Sequence, residues 1–190
     1  MSLISVVDIE ATGLGKFDTT HYKEDDYPVS IGIIVASVEE EKKVIRCIDS
    51  YTSLIKIPNP SKVEKTSLIH SIFPEDLENA PGPKEVCRHV IDLYNKYGLS
   101  LAGAWNHRVD RYFFDILFKM GKMEQPTLKW IEMQPERMAS LELYVLKCVN
   151  DPDVLSAEAH DALNDCVRAI GVMAALKGCT LDLSGVRNKN

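Results

Sequence analysis

Asp8 and Glu10 stand two residues apart at the end of an apolar run, residues 3–7. In an extended strand alternate side chains share a face, so both carboxylates point the same way. Two such charges shielded from water repel unless a cation lies between them. Magnesium and manganese, which prefer oxygen ligands, suit the pair; the alternative is two acids at a strand end facing solvent. Asn106 and Asp110 form a second group, four residues apart after the apolar stretch 99–105. That spacing is about one helical turn, so Asn106 suits a helix N-cap while Asp110 faces along the helix. Asp115 is a competing candidate for the acid. His160 and Asp165 form a third group. Five helical residues rotate by about 500°, which leaves the two side chains roughly 140° apart. They converge only if His160 lies at or before the first turn, and Asp161, a good N-cap, puts it there. The competing reading is a helix start rich in acids that favour the dipole.

Each group depends on the elements around it. Residues 3–7 read as a buried strand, and a polar loop from Gly13 to Tyr27 carries the acidic patch Glu24-Asp25-Asp26. Residues 29–37 and 42–54 read as two further strands around a turn, so the chain opens on an antiparallel meander. Pro58-Asn59-Pro60 ends that region, and Ala80-Pro81-Gly82-Pro83 announces a helix. Val86, Val90, Leu93 and Tyr97 recur at helical spacing before Gly98. Residues 99–105 predict another strand, followed by a helix from near Arg108 to Met120 that Gly121 ends. Leu163, Val167, Ile170 and Ala174 mark a last helix, stopping near Gly178. The order describes a mixed α/β layer with helices packed on a central sheet.

With its flanks, the first group reads Val6-Val7-Asp8-Ile9-Glu10-Ala11-Thr12-Gly13-Leu14. It resembles the first motif of the DEDD exonucleases, Asp-x-Glu-Thr/Ala-Thr-Gly-Leu. The segment Trp105-Asn106-His107-Arg108-Val109-Asp110 resembles the second, His-Asn-x-x-Phe-Asp, with Trp105 and Val109 as departures. His160-Asp161-Ala162-Leu163-Asn164-Asp165 resembles His-x-Ala-x-x-Asp, the third motif of the histidine-bearing DEDDh branch. The three occur in family order, so the resemblance covers roughly residues 3–178 of a single exonuclease domain, 1–190. It implies a ribonuclease H-like fold, a mixed five-stranded sheet flanked by helices. It also implies a metal-dependent 3′→5′ exonuclease that releases nucleoside 5′-monophosphates from single-stranded DNA or RNA 3′ ends. Two Mg2+ or Mn2+ about 3.5–4 Å apart then stabilise the attacking and leaving oxygens. By motif position Asp8 bridges both ions, Glu10 and Asp165 complete the first site, and Asp110 holds the second. His160 is implied as general base, a side chain that ordinarily titrates near neutrality. Ala11, Thr12, Gly13 and Leu14 are implied as the cradle of the terminal nucleotide, with Ala11 lacking a hydroxyl that many relatives have. Ile69-His70-Ser71-Ile72 resembles the family's His-Gly-Ile-Thr stretch, which makes Ile72 either a wedge against a base or a core anchor. Asn106 either touches substrate or only caps its helix.

Composition narrows the class. A net charge of −6 excludes a protein that coats nucleic acid by charge alone, so bound cations must supply positive charge at the site. Lys42-Lys43, Lys84 with Arg88, and Arg108 with Arg111 are local basic groups, read first as solvated faces. No stretch approaches the roughly 18–20 apolar residues of a membrane span. The N-terminus lacks a basic n-region, and five scattered cysteines read as reduced thiols. Together these features predict a soluble cytoplasmic protein without a membrane partner. Two other readings stand beside the exonuclease. A ribonuclease-H-type endonuclease is disfavoured by His160, and a catalytically weak or inactive nucleic-acid-binding module by the presence of all five site residues.

Overall fold

The computed structural model describes residues 2–14, 17, 26–136 and 140–186. Its strands are β1 (Ser2–Ala11), β2 (Pro28–Glu39), β3 (Val44–Leu54), β4 (Leu101–Ala104), β5 (Lys129–Glu132) and β6 (Thr180–Asp182). Its helices are α1 (Ser67–His70), α2 (Pro74–Glu78), α3 (Pro83–Tyr97), α4 (His107–Gly121), α5 (Leu141–Cys148), α6 (Pro152–Ser156) and α7 (Ala162–Lys177). The strands form one mixed sheet in the order β5-β4-β1-β2-β3-β6. The pairs β1–β2 and β2–β3 are antiparallel, whereas β1–β4, β4–β5 and β3–β6 are parallel. The sheet therefore has six strands, one more than the five expected. β5 and β6 are only 4 and 3 residues long, too short for a two-residue alternation to stand out. Most of the loop 13–27, with Glu24 and Asp25, lies outside the described residues.

Alternation along β1 sorts the core into two layers. Ile4 and Val6 join Ile34, Cys166, Val167 and Ile170 on the face covered by α5, α6 and α7. Val7 and Ile9 join Ile31, Ile33, Phe113, Phe114 and Leu117 on the face covered by α3 and α4. A third cluster under α2 gathers Val29, Ile57, Val63, Ile72 and Leu77. The helix ends follow from local chemistry. Pro83 opens α3 and Gly98 closes it at φ 60°, in the left-handed conformation that glycine adopts at little cost. Gly121 does not stop α4; it lies inside the helix, and Lys122 takes the left-handed cap. A β-carbon at Gly121 would sit 2.8 Å from the Cys87 sulfur, so the missing side chain lets α3 and α4 approach. All five cysteines are free thiols. Among the described residues no helix is long and apolar enough to cross a membrane.

Candidate active site

Three separate segments meet at the C-terminal end of β1. Asp8 and Glu10 belong to the α7-facing register of that strand, opposite Gly32 and Ser30 of β2. On its other edge β1 pairs with β4 only at Ser5 and Val6. The strand therefore runs on past β4 with backbone groups that need other partners. Asp110 meets that need: the Ile9 N–H donates to its Oδ1 at 3.1 Å. This bond fixes the buried Asp110, 5% exposed, beside the two β1 acids.

The third segment arrives because β2 carries no side chain at Gly32. A β-carbon there would lie 2.3 Å from the carbonyl of Ala162, so the start of α7 rests directly on the strand. The Cys166 thiol seals the contact, donating to the carbonyls of Val6 at 3.4 Å and Gly32 at 3.3 Å. Asp161 caps α7, its side chain accepting from the Asn164 N–H at 3.1 Å. His160 therefore precedes the helix, at φ 60°, and its backbone N–H donates to Asp165 Oδ2 at 3.1 Å. One ligand atom each from Glu10, His160 and Asp165 lies within 4.8 Å of the others, a spacing that suits a shared cation.

The electrostatics ask for positive charge. Burial, with Asp110 and Glu10 alongside, raises the Asp8 carboxyl well above the usual range. Glu10 is pushed up to about 8 by burial and then by the charges of Asp165 and Asp110. Asp110 is also pushed up to about 8, burial outweighing the backbone N–H groups that favour its charged form. Asp165 is raised by burial too, but Arg168 opposes the shift through a 3.0 Å ion pair to Oδ1. Four carboxyls that resist ionisation at one spot match a divalent cation, whose charge would reverse every shift. The carboxylate oxygens suit a hard divalent cation by ligand chemistry.

Residues 5–173 match the model of the family described as exonuclease, the RNase T family. The chain belongs to this exonuclease family. No curated protein sequence matches it. Among solved structures it resembles the nuclease domain of 3′hExo, a DEDDh family member bound to rAMP, with TM-score 0.69 and 15% identity over 93% of each chain. A full-length 3′-exonuclease is similar with TM-score 0.66 and 18% identity, covering 93% of this chain and 83% of that one. The E. coli exonuclease I–ssDNA complex in zinc-bound form follows with TM-score 0.62 and 14% identity, covering 94% of this chain and 41% of that one. At these identities the likeness is one of fold.

The exonuclease disposes the residues expected around the terminal nucleotide in different ways. Ala11 sits at the irregular end of the β1–β2 ladder. Thr12 is 3% exposed, and its hydroxyl closes the loop, donating to Asp26 Oδ1 at 3.2 Å and accepting from the Tyr27 N–H at 3.0 Å. Gly13 leaves room for Asp26, whose Oδ2 would sit 2.6 Å from a β-carbon there. Leu14 is 56% exposed. Ile72 is packed into the third core cluster, which is the anchoring arrangement, while Leu68, Ile69 and Phe73 in the same segment are exposed. Asn106 occupies the N-cap position of α4 but makes no side-chain cap bond, so its exposed amide is free to meet a ligand.

Sequence reading overlooked three residues of the exonuclease site. Gly32 had a signal, since a glycine inside an apolar strand marks close backbone approach. Arg168 had a weaker one, three residues after Asp165 on the same helix. His70 had one too, its place in the stretch resembling His-Gly-Ile-Thr, from which only Ile72 took a role. It is buried, with Nε2 2.8 Å from the Thr66 hydroxyl and Nδ1 accepting from the Ile72 N–H at 3.2 Å. Burial lowers its pKa, in keeping with a neutral ring that ties α1 to the turn after it.

Proposed function

We propose that the chain, acting as one catalytic unit, removes nucleoside 5′-monophosphates from the 3′ ends of single-stranded DNA or RNA. The observation that carries this reading is the convergence of four carboxyls and His160, from three distant segments, at one end of β1. The likeness to DEDDh structures bound to rAMP and to single-stranded DNA supports the choice of substrate and end. Asp8, Glu10, Asp110 and Asp165 would hold two magnesium or manganese ions, which supply Lewis acidity at the scissile phosphate. His160 takes the proton of the attacking water at an imidazole nitrogen as the new P–O bond forms. The bond to the 3′ oxygen of the preceding nucleotide then breaks, and the terminal 5′-monophosphate leaves. Leu14 offers the outgoing base an apolar surface, while Asn106, exposed at the N-cap of the helix that carries Asp110, offers its amide.

The test uses 5′-labelled single-stranded DNA and RNA oligonucleotides with magnesium or manganese, beside EDTA and Asp8→Ala controls. A ladder shortening from the 3′ end, absent from both controls, is expected. Internal cuts, or immediate release of the label as a mononucleotide, would overturn the polarity. Binding without any cleavage would leave a nucleic-acid-binding module.

A further inference from the structure

A small cavity of about 330 Å³ lies beside the site, lined by Phe17, His107, Arg108, Arg111, Tyr112 and Asp115. All but Phe17 lie on α4, within an arc of roughly 140° at about 100° per residue. Arg108 and Arg111 are exposed, and among the described residues neither has an ion-pair partner. Two arginines therefore face one carboxylate, Asp115, in a chain whose net charge is −6. Arg108 also stands in the first turn of α4, the positive end of its dipole, where a cation is disfavoured. Both conditions reverse when an anion binds. Glu132 holds His107 through Nδ1 at 3.0 Å, which leaves Nε2 as its remaining polar atom. The aromatic wall is already built, with the Phe17 and Tyr112 rings edge to face at 5.6 Å.

We infer that this cavity is a subsite for the strand upstream of the cut, its arginines taking backbone phosphate and its aromatic wall a base. The inference rests on the exonuclease reading above. Arg111 directly follows Asp110, and Phe17 lies on the loop that leaves β1 after Ala11, its N–H donating to the Leu14 carbonyl at 3.1 Å. Asp110 faces the opposite side of α4 from Arg108, so the subsite lies about one helix width, roughly 10 Å, from the metal cluster. At about 3.4 Å per nucleotide that distance is some three steps along a strand. Guanidinium forks suit phosphate oxygens, and stacking on aromatic rings tolerates any base, so the subsite reads length rather than sequence.

The experiment compares wild type with the Arg108→Gln, Arg111→Gln double variant on labelled single strands of about two to ten nucleotides. A Lys84→Gln, Arg88→Gln variant removes the same charge at the far end of α4, where the start of α3 packs against Gly121. The arginine variant should raise KM on the longest strand about tenfold, with a loss that shrinks as the strand shortens. Its dependence of log KM on log salt should weaken by about 1.4, two phosphates at about 0.7 each for single strands. An equal loss at every length, an unchanged salt slope, or the same loss in the lysine–arginine control would overturn the subsite. If the wild type does not cleave, the exonuclease reading fails, and fluorescence anisotropy with the longest strand still decides the cavity. Weaker binding by the arginine variant alone supports it; equal binding, or equal competition by polyglutamate, overturns it.

Discussion

Both oxygens of Asp165 are engaged, Oδ1 by Arg168 at 3.0 Å and Oδ2 by the His160 N–H at 3.1 Å. Arg168 is itself 7% exposed, so the pair is a buried one, and removing one partner of such a pair strands the other's charge. Arg168 touches no reacting atom in the proposed chemistry; it acts by opposing the upward shift that burial imposes on Asp165 and by orienting its carboxylate. Arg168→Met should therefore raise the magnesium concentration for half-maximal cleavage about 10- to 100-fold, as with other residues that orient a metal ligand. Arg168→Lys should recover part of it, and a metal dependence unchanged in both would remove Arg168 from the site. His160 poses a different problem, because φ 60° is unfavourable for any side chain except glycine and, less so, asparagine or aspartate. His160→Asn keeps that backbone comfortable while removing the base. The expected result is a kcat lower by about 100-fold or more with Tm nearly unchanged. Retained activity would mean that the proton leaves by another route. Asp8, Glu10, Asp110, His160 and Asp165 were legible in the sequence because each stands in a local group, with spacings of two for Asp8 and Glu10, four for Asn106 and Asp110, and five for His160 and Asp165. Arg168 was not singled out, because its meaning depends on how deeply α7 is buried.

Between elements, Gly32 decides where α7 can sit. The strand reading of residues 29–37 was correct, yet the pairing of Gly32 with Ala162 joins positions about 130 apart, and periodicity carries no such distance. Backbone atoms at 2.3 Å from an added β-carbon cannot rotate away as a side chain can. Gly32→Ala should therefore lift the start of α7 off β2, separating His160 and Asp165 from Asp8. A destabilisation of about 1–3 kcal/mol is expected, as for other overpacked contacts, with activity falling further than stability accounts for. Urea denaturation and cleavage by the same preparation check both parts. Activity retained in proportion to the folded fraction would show that α7 does not set the geometry. Asn106 was legible only in part. Its place before α4 was foreseen, but the side chain makes no cap bond, and spacing alone cannot separate the two roles. Ile72 was read either as wedge or as core anchor, and the core of Val29, Ile57, Val63 and Leu77 encloses it. The last strand escaped because β6 gains its place from parallel pairing with Val44–Arg46, not from its own three residues.

At the scale of the whole molecule, the site is a deficit that the fold carries until a cation arrives. An unfolded chain releases the protons of Glu10 and Asp110 near the ordinary carboxyl pKa of about 4. In the native protein without metal, burial and neighbouring acids move both up to about 8. Between those limits the native state binds more protons than the unfolded state, so stability falls as pH rises. The contribution is fully present below about pH 4 and is lost as pH passes about 8. A divalent ion takes over the role of those protons, and its binding must release them. Thermal unfolding in EDTA should thus give a Tm that drops between about pH 5 and pH 8. Magnesium or manganese should restore it by an increment that grows over the same interval, since the ion binds the native state alone. Asp110→Asn removes one ionising group while keeping its shape. In EDTA near pH 8 this variant should melt above wild type, and it should gain much less from metal. A metal-free Tm that holds constant over that interval, or a metal increment no larger at the high end, would mean the acids are solvated. In that case repulsion among them would not be what recruits the ions.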